Sequence, residues 1–339
     1  MSGYAGGPPY GVGARRRRSG PLRMLGLSAA TILALIIGLQ LIGRLGPGSD
    51  APGTATDGRT TDAATSSSAG SPTPTDPPPT AGAPSATPRP KAKPDRPNRS
   101  LKGNSLYAVD LDGTQVRCGI TVRPAKPPVR NADLAPYLRS LVKCLVKVHR
   151  KPLAARGFTV TEPKIKVYRS TVRAACGRFD QKGAPAYYCS ADQTIYWPAS
   201  RDDGREAYTF ARLGYTALLA HEFGHHLQAV TGMVNEYGRR YAQAESPGAR
   251  YQLSRRLELQ AQCFEGVFLA TVARSIEFSA ADRAELRIWH GFTGDEDPPD
   301  RREPDHGTSA AQLRWLARGL DSQDFGRCNT WNAPRSEVK

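Results

Sequence analysis

The chain has 339 residues, with 47 Lys and Arg against 31 Asp and Glu, a formal charge of +16, and six cysteines. That charge does not mark a nucleic-acid binder, because much of it lies in Arg15 to Arg18, Arg23 and the basic run from Arg89 to Arg99. No CxxC pair occurs, which argues against a four-thiolate structural zinc site and leaves the cysteines as a disulfide framework.

Residues 1–23 read as a basic cytoplasmic tail. Met24 to Gly43 follow as a run of about twenty residues without a charge, long enough to cross a bilayer as a helix. Five arginines precede the run and only Arg44 follows closely, so the positive-inside rule leaves the N-terminus in the cytoplasm. The run is long for a signal peptide and no clean small-x-small site follows it, which favours an uncleaved single-pass anchor. Residues 44–100, rich in Pro, Thr, Ser, Ala and Gly, bury too little apolar surface to fold and read as a disordered linker. A coil of that length spans on the order of 40 Å. The remaining part, 101–339, is long enough for one sizeable core and is expected on the external side of the cell membrane. Anionic lipid or cell-wall polymer is the partner its charge suits there, with no nucleic acid.

In the external part, Lys164 to Val172 alternates as a strand, and Ala186 to Trp197 reads as a hairpin of two aromatic and β-branched runs around a polar turn. Leu213 to Val230 is a helix with an apolar stripe at Leu213, Ala217, Ala220, Phe223, Leu227 and Val230. Helices are predicted again over Ser254 to Arg274, Ala280 to His290 and Ser309 to Leu320. The acidic turn Asp295 to Asp300 between the last two reads as a surface loop that fits no EF-hand spacing. All six cysteines (Cys118, Cys144, Cys176, Cys189, Cys263 and Cys328) follow the apolar run, so up to three disulfides are expected among fifteen possible pairings. Cys176 with Cys189 is the local pair, and Cys263 with Cys328 would tie the C-terminal segment to its helix.

The Leu213 to Val230 helix contains His221-Glu222-Phe223-Gly224-His225, an HExxH pattern expected by chance in only about 1 in 100 chains of this length. Residues four apart share a helix face, so His221 and His225 can aim two imidazole nitrogens at one metal ion. Glu222, one step round, comes near the ion without ligating it and is placed to accept a proton from water. His226 points off that face and reads as a polar neighbour. A catalytic zinc needs a third protein ligand. A histidine six residues after His225 would fall at Thr231, so the ligand is sought on the next helix, where Glu258 and Glu265 are the candidates and Glu258 is favoured.

The segments LLAHEFGHHLQ, LELQAQCFEG, AYYCSADQTIYW and DHGTSAAQLRWLARG together resemble the neutral zinc metallopeptidase family of bacteria, over roughly Leu101 to Trp331. The resemblance implies an α+β zincin-like domain in which His221, His225 and Glu258 hold Zn2+ and Glu222 is the catalytic base. The family usually has aspartate where this chain has Gln262. An aspartate there is placed to accept from the far nitrogen of a ligating histidine, and Gln262 is expected to take that supporting role without its charge. Zincins typically also present the edge of a strand ahead of the active-site helix to an extended substrate.

Zinc chemistry then implies a peptidase whose water is activated by the ion and deprotonated by Glu222. Developing oxyanion charge calls for a second donor. His306 is the candidate, in a turn before a helix, although His306 or Asp305 is also placed to cap that helix. Tyr215 and Tyr237 are further donors that the sequence does not separate from core tyrosines. Two other readings use the same residues: a non-catalytic zinc-binding protein of the cell envelope, and an amidase acting on peptidoglycan cross-links.

Overall fold

The computed structural model describes residues 96–120, 122, 131–179, 186–199, 212–296 and 304–339. The basic tail, the Met24 to Gly43 run and almost all of the linker lie outside the described residues, and among the described ones no helix is long and apolar enough to cross a membrane. The last linker residues belong to the fold. Arg99 donates to the Val230 carbonyl at 3.2 Å and lies over the Phe158 ring, and Asn98 accepts from the Ser100 amide at 2.9 Å.

The first long element was not anticipated from the sequence. Helix α1, Asn131–Ala154, precedes the sheet and buries Leu134, Leu138, Leu141, Val142 and Leu145 on one face. Pro136 and Pro152 sit inside it. Each removes one i→i−4 helical bond, and the apolar face holds the helix across both. Strands β1 (Lys164–Tyr168), β2 (Val172–Ala174), β3 (Gly177–Phe179), β4 (Tyr187–Cys189) and β5 (Thr194–Pro198) follow. The predicted Lys164 to Val172 strand is therefore two pieces, β1 and the start of β2.

Strand β5 is central. It pairs in parallel with β1 (Ile165 opposite Ile195) and antiparallel with β4 (Tyr188 opposite Ile195), which leaves β4 on the edge in the order β1-β5-β4. The predicted hairpin over Ala186 to Trp197 is this β4–β5 pair. Strands β2 and β3 form a separate antiparallel ribbon, joined to β4 by the Cys176–Cys189 disulfide. Tyr168, Phe179, Tyr187 and Tyr196 make a small aromatic layer beside that disulfide.

Helix α2, Gly214–Val230, carries the HExxH residues and is buried along most of its length. After a turn through Gly232, whose φ of 84° suits glycine, come α3 (Met233–Gln243), also unanticipated, and α4 (Pro247–Thr271). Helix α4 starts well before the predicted Ser254. Ser246 caps it by accepting from the Ala249 amide, and Pro247 occupies the first turn, where its fixed φ is already helical. Helix α5, Ala280–His290, matches its predicted bounds and has a capping box of Ser279 and Asp282. Helix α6, Ser309–Ser322, packs on α4. Gly319 makes that approach possible, because a Cβ there would overlap the Cys263 carbonyl. Two further disulfides, Cys118–Cys144 and Cys263–Cys328, complete the set. The second pins α4 to the short turn Phe325–Cys328.

Candidate metal centre

Helices α2 and α4 cross where the motif lies. Gly224, one of the two free positions of HExxH, explains how closely they meet: a Cβ there would stand 3.1 Å from the Ala261 Cα. The crossing brings one oxygen of Glu258 to 3.3 Å from His221 Nε2 and 3.2 Å from His225 Nε2. The three ligand atoms lie within 4.8 Å of one another. Two ligands each ~2.05 Å from a tetrahedral ion stand ~3.3 Å apart, so this donor set fits zinc in both chemistry and spacing. Of the two glutamates that the sequence left open, Glu258 is the one at the histidines. Glu265, two turns on, is fully buried and meets His290 Nε2 at 3.2 Å.

The electrostatics follow from that geometry. Burial alone would raise the Glu258 carboxyl, but His225, His306 and His221 around it hold it well below the usual carboxylate range. Burial opposes a charge on His225, yet Glu258 and then Glu222 outweigh it and push the imidazole up to about 9. A metal ion held by these residues would displace that proton, the usual exchange between protons and metal at histidine ligands. Glu222 is 5% exposed, and burial raises its carboxyl despite the neighbouring histidines. The main-chain N–H of Tyr188, on edge strand β4, donates to the same carboxylate.

Tyr188 was not singled out from the sequence, and it fixes β4 against α2 in a second way. Its hydroxyl lies 3.0 Å from His226 Nδ1, while His226 Nε2 lies 2.9 Å from the Thr161 carbonyl. A carbonyl only accepts, so Nε2 carries the proton and Nδ1 accepts from Tyr188. Burial pushes His226 down to about 4, which keeps it neutral. It is a structural neighbour of the metal ligands, as its position off their face predicts.

The supporting role expected of Gln262 is not found there. Its amide donates to Glu265 Oε2 at 2.7 Å and lies 3.1 Å from His290 Nε2, so it joins the buried Glu265–His290 pair. The far nitrogen of His225 meets Gln228 Oε1 instead, at 2.9 Å. Gln228 is three residues after His225 on the same helix, and that spacing was the signal that could have found it.

His306 reaches the centre. Its Nε2 stands 3.9 Å from Glu258 Oε2, its Nδ1 2.6 Å from Asp305 Oδ1, and its side chain is 44% exposed. The α6 cap belongs to neither residue: Thr308 accepts from the Ala311 amide. The acidic turn that read as a surface loop holds this segment in place. Asp295 accepts from the main-chain N–H of His306 at 3.0 Å and of Gly307 at 2.7 Å, and Glu296 accepts from that of Ser309 at 2.8 Å. Asp295, Asp305 and His306 form a second close group of ligand-type atoms, but these mutual hydrogen bonds account for it. Tyr215 packs on Trp197 and Tyr137 in the core. The Tyr237 hydroxyl is 2.9 Å from Ser254 Oγ, and burial, together with Glu258 and Asp305, raises it.

Comparison with known proteins places this site in a family. Residues 120–331 match the family described as "Putative neutral zinc metallopeptidase". "Uncharacterized protein YpfJ" of Escherichia coli (strain K12) is 30% identical over 239 residues, which cover 66% of this chain and 82% of the relative. "Uncharacterized protein Rv2575" of Mycobacterium tuberculosis (strain ATCC 25618 / H37Rv) is 26% identical over 199 residues, covering 51% of this chain and 64% of the relative. No solved structure matches the chain. With an HExxH helix crossed by a glutamate-bearing helix, and with the family's pattern running through the domain that holds them, the chain belongs to the neutral zinc metallopeptidase family.

Proposed function

We propose that the protein is a zinc-dependent peptidase, held at the cell membrane with its catalytic domain outside the cytoplasm. The observation that carries the reading is the convergence of His221, His225 and Glu258 beside a buried Glu222, next to β4, an edge strand of the sheet among the described residues. Zinc bound by these three residues would supply an activated water and polarise the scissile carbonyl. Glu222 accepts the proton of that water and passes it to the leaving amine. Its burial raises its basicity, and the Tyr188 N–H keeps the carboxylate aimed. His306 faces the same space. Because Asp305 accepts from Nδ1, donation from Nε2 uses the imidazolium, which suits a developing oxyanion.

The outer edge of β4 gives the substrate its direction. Main-chain pairing there holds an extended peptide with few demands on its side chains. The external location rests on the apolar run Met24 to Gly43 and on the three disulfides, which persist in oxidising compartments.

The test is metal analysis of the purified full-length chain together with cleavage of a peptide library, beside Glu222→Gln. One equivalent of zinc is expected in both proteins, with cleavage reduced at least ~100-fold in the variant. Zinc retention without any cleavage dependent on Glu222 would leave a metal-binding envelope protein in place of a peptidase. Release of wall peptides in preference to library cleavage would point to an amidase. For location, a reporter fused after residue 23 should be cytoplasmic and one fused after Lys339 external.

A further inference from the structure

The hydrogen bond from His225 to Gln228 is the first link of a longer chain. Gln228 Nε2 donates to the Leu257 carbonyl at 2.8 Å and to Gln260 Oε1 at 3.1 Å. Gln260 Nε2 donates in turn to the Cys328 carbonyl at 3.2 Å and to the Tyr107 hydroxyl at 2.9 Å. The Tyr107 hydroxyl donates to the Leu101 carbonyl at 2.8 Å. Both glutamines are fully buried.

The sense of this chain is not free to invert. A main-chain carbonyl only accepts, so Leu257 requires the NH2 of Gln228, and Cys328 requires the NH2 of Gln260. Each amide oxygen then faces the opposite way. Gln260 Oε1 receives Gln228, and Gln228 Oε1 is left for His225. An oxygen there demands a proton on His225 Nδ1, so the neutral, metal-binding form of the ring has its lone pair on Nε2, on the side of the metal position. Tyr107 closes the far end by using its single proton on Leu101.

We infer that Gln228, Gln260 and Tyr107 are positioning residues for His225, selecting the tautomer in which Nε2 binds the metal. This rests on the reading of His221, His225 and Glu258 as zinc ligands, and nothing in the sequence pattern HExxH implies it. The relay uses amides where a carboxylate is the common partner of a metal-bound histidine. It also joins both ligand helices, since the carbonyl that fixes Gln228 belongs to Leu257, the neighbour of Glu258. The segment before α1 that carries Leu101 and Tyr107 thereby acts on a metal ligand more than a hundred positions away in the chain.

The test is zinc affinity of the full-length protein by competition with a chelator, with the histidine side-chain nitrogen NMR spectrum of the zinc-loaded wild type. The spectrum should show His225 protonated at Nδ1 and metallated at Nε2. Gln228→Leu should weaken zinc about 10- to 100-fold. Gln228→Glu, which still accepts from Nδ1 but loses both donations to Leu257 and Gln260, should lose less zinc affinity than Gln228→Leu, and Tyr107→Phe should lose about threefold or less because Cys328 still orients Gln260. Zinc binding by Gln228→Leu within twofold of wild type overturns the inference, as does equal loss in Gln228→Leu and Gln228→Glu. If Gln228→Leu does not fold, a wild-type spectrum with the proton on Nε2 overturns it equally. Failure of the wild type to bind zinc sinks the peptidase reading and this inference with it; bound zinc with an insensitive Gln228 sinks the inference alone.

Discussion

Helix α4 carries two glutamates two turns apart, and each faces histidine, yet only one stands at a site. Glu258 meets His221 and His225 from α2 and has His306 at 3.9 Å, with that histidine open to solvent. Glu265 meets His290 from α5 with Gln262 beside it, and the group is sealed. The first pair of contacts sets three ligand atoms within reach of one cation, with the partly exposed His306 beside them. The second fills its space with its own hydrogen bonds. A buried His–Glu pair is therefore not evidence of catalysis by itself; convergence with access is what distinguishes the open end of the helix from the closed one.

The comparison breaks most readily at Glu258. Glu258→Gln should lower zinc affinity by more than ~100-fold, the upper range for groups one step removed from a metal, with little change in thermal stability of the apo protein. A chelator titration that finds near wild-type affinity would deny Glu258 its place. At the closed end, stability and not metal should respond. Replacing both Cys263 and Cys328 by serine opens a loop of sequence separation 65 and should cost about 4 kcal/mol in a denaturant titration.

The next effect concerns pH. His149 is buried among Phe223, Phe268 and Phe325, with its Nδ1 donating to the Leu145 carbonyl. Burial pushes it down to about 4 from 6.5. The unfolded chain takes up this proton as pH falls through 6.5, whereas the folded one waits until about 4, so stability drops across that window and levels off below it. The loss is about 3 kcal/mol for this group, and His226 adds a parallel one. His149→Phe should remove roughly half of the slope in melts between those two values. Smallest is Glu265→Ala, which leaves the Gln262 amide short of an acceptor. It should cost about 1–3 kcal/mol and leave zinc in place. Loss of zinc there, matching that of Glu258→Gln, would erase the distinction between the two ends.

What could be read in advance depended on distance along the chain. His221, Glu222 and His225 lie within one turn and a half of a single helix, so helical periodicity alone fixes their relation. The local disulfide Cys176–Cys189 and the bounds of α5, with its Ser279 cap, are legible for the same reason. Helix α1 escaped because two prolines and a basic face interrupt its pattern, although its apolar positions recur at helical spacing. Gln262 was misplaced because position along a helix gives the face but not the competitor: His290, on another helix, draws its amide away.

The sequence by itself determined the HExxH spacing of His221, Glu222 and His225, the family and the presence of a second helix bearing candidate ligands, because these follow from local spacing and motif. Only the tertiary structure decided between Glu258 and Glu265, set Tyr188 against Glu222, turned the acidic segment at Asp295 into a clamp on the His306 loop, and drew Gln228, Gln260 and Tyr107 into one polarised chain. Each of those joins groups from different elements. Their hydrogen bonds depend on which helix packs against which, and on carbonyls that no periodicity records.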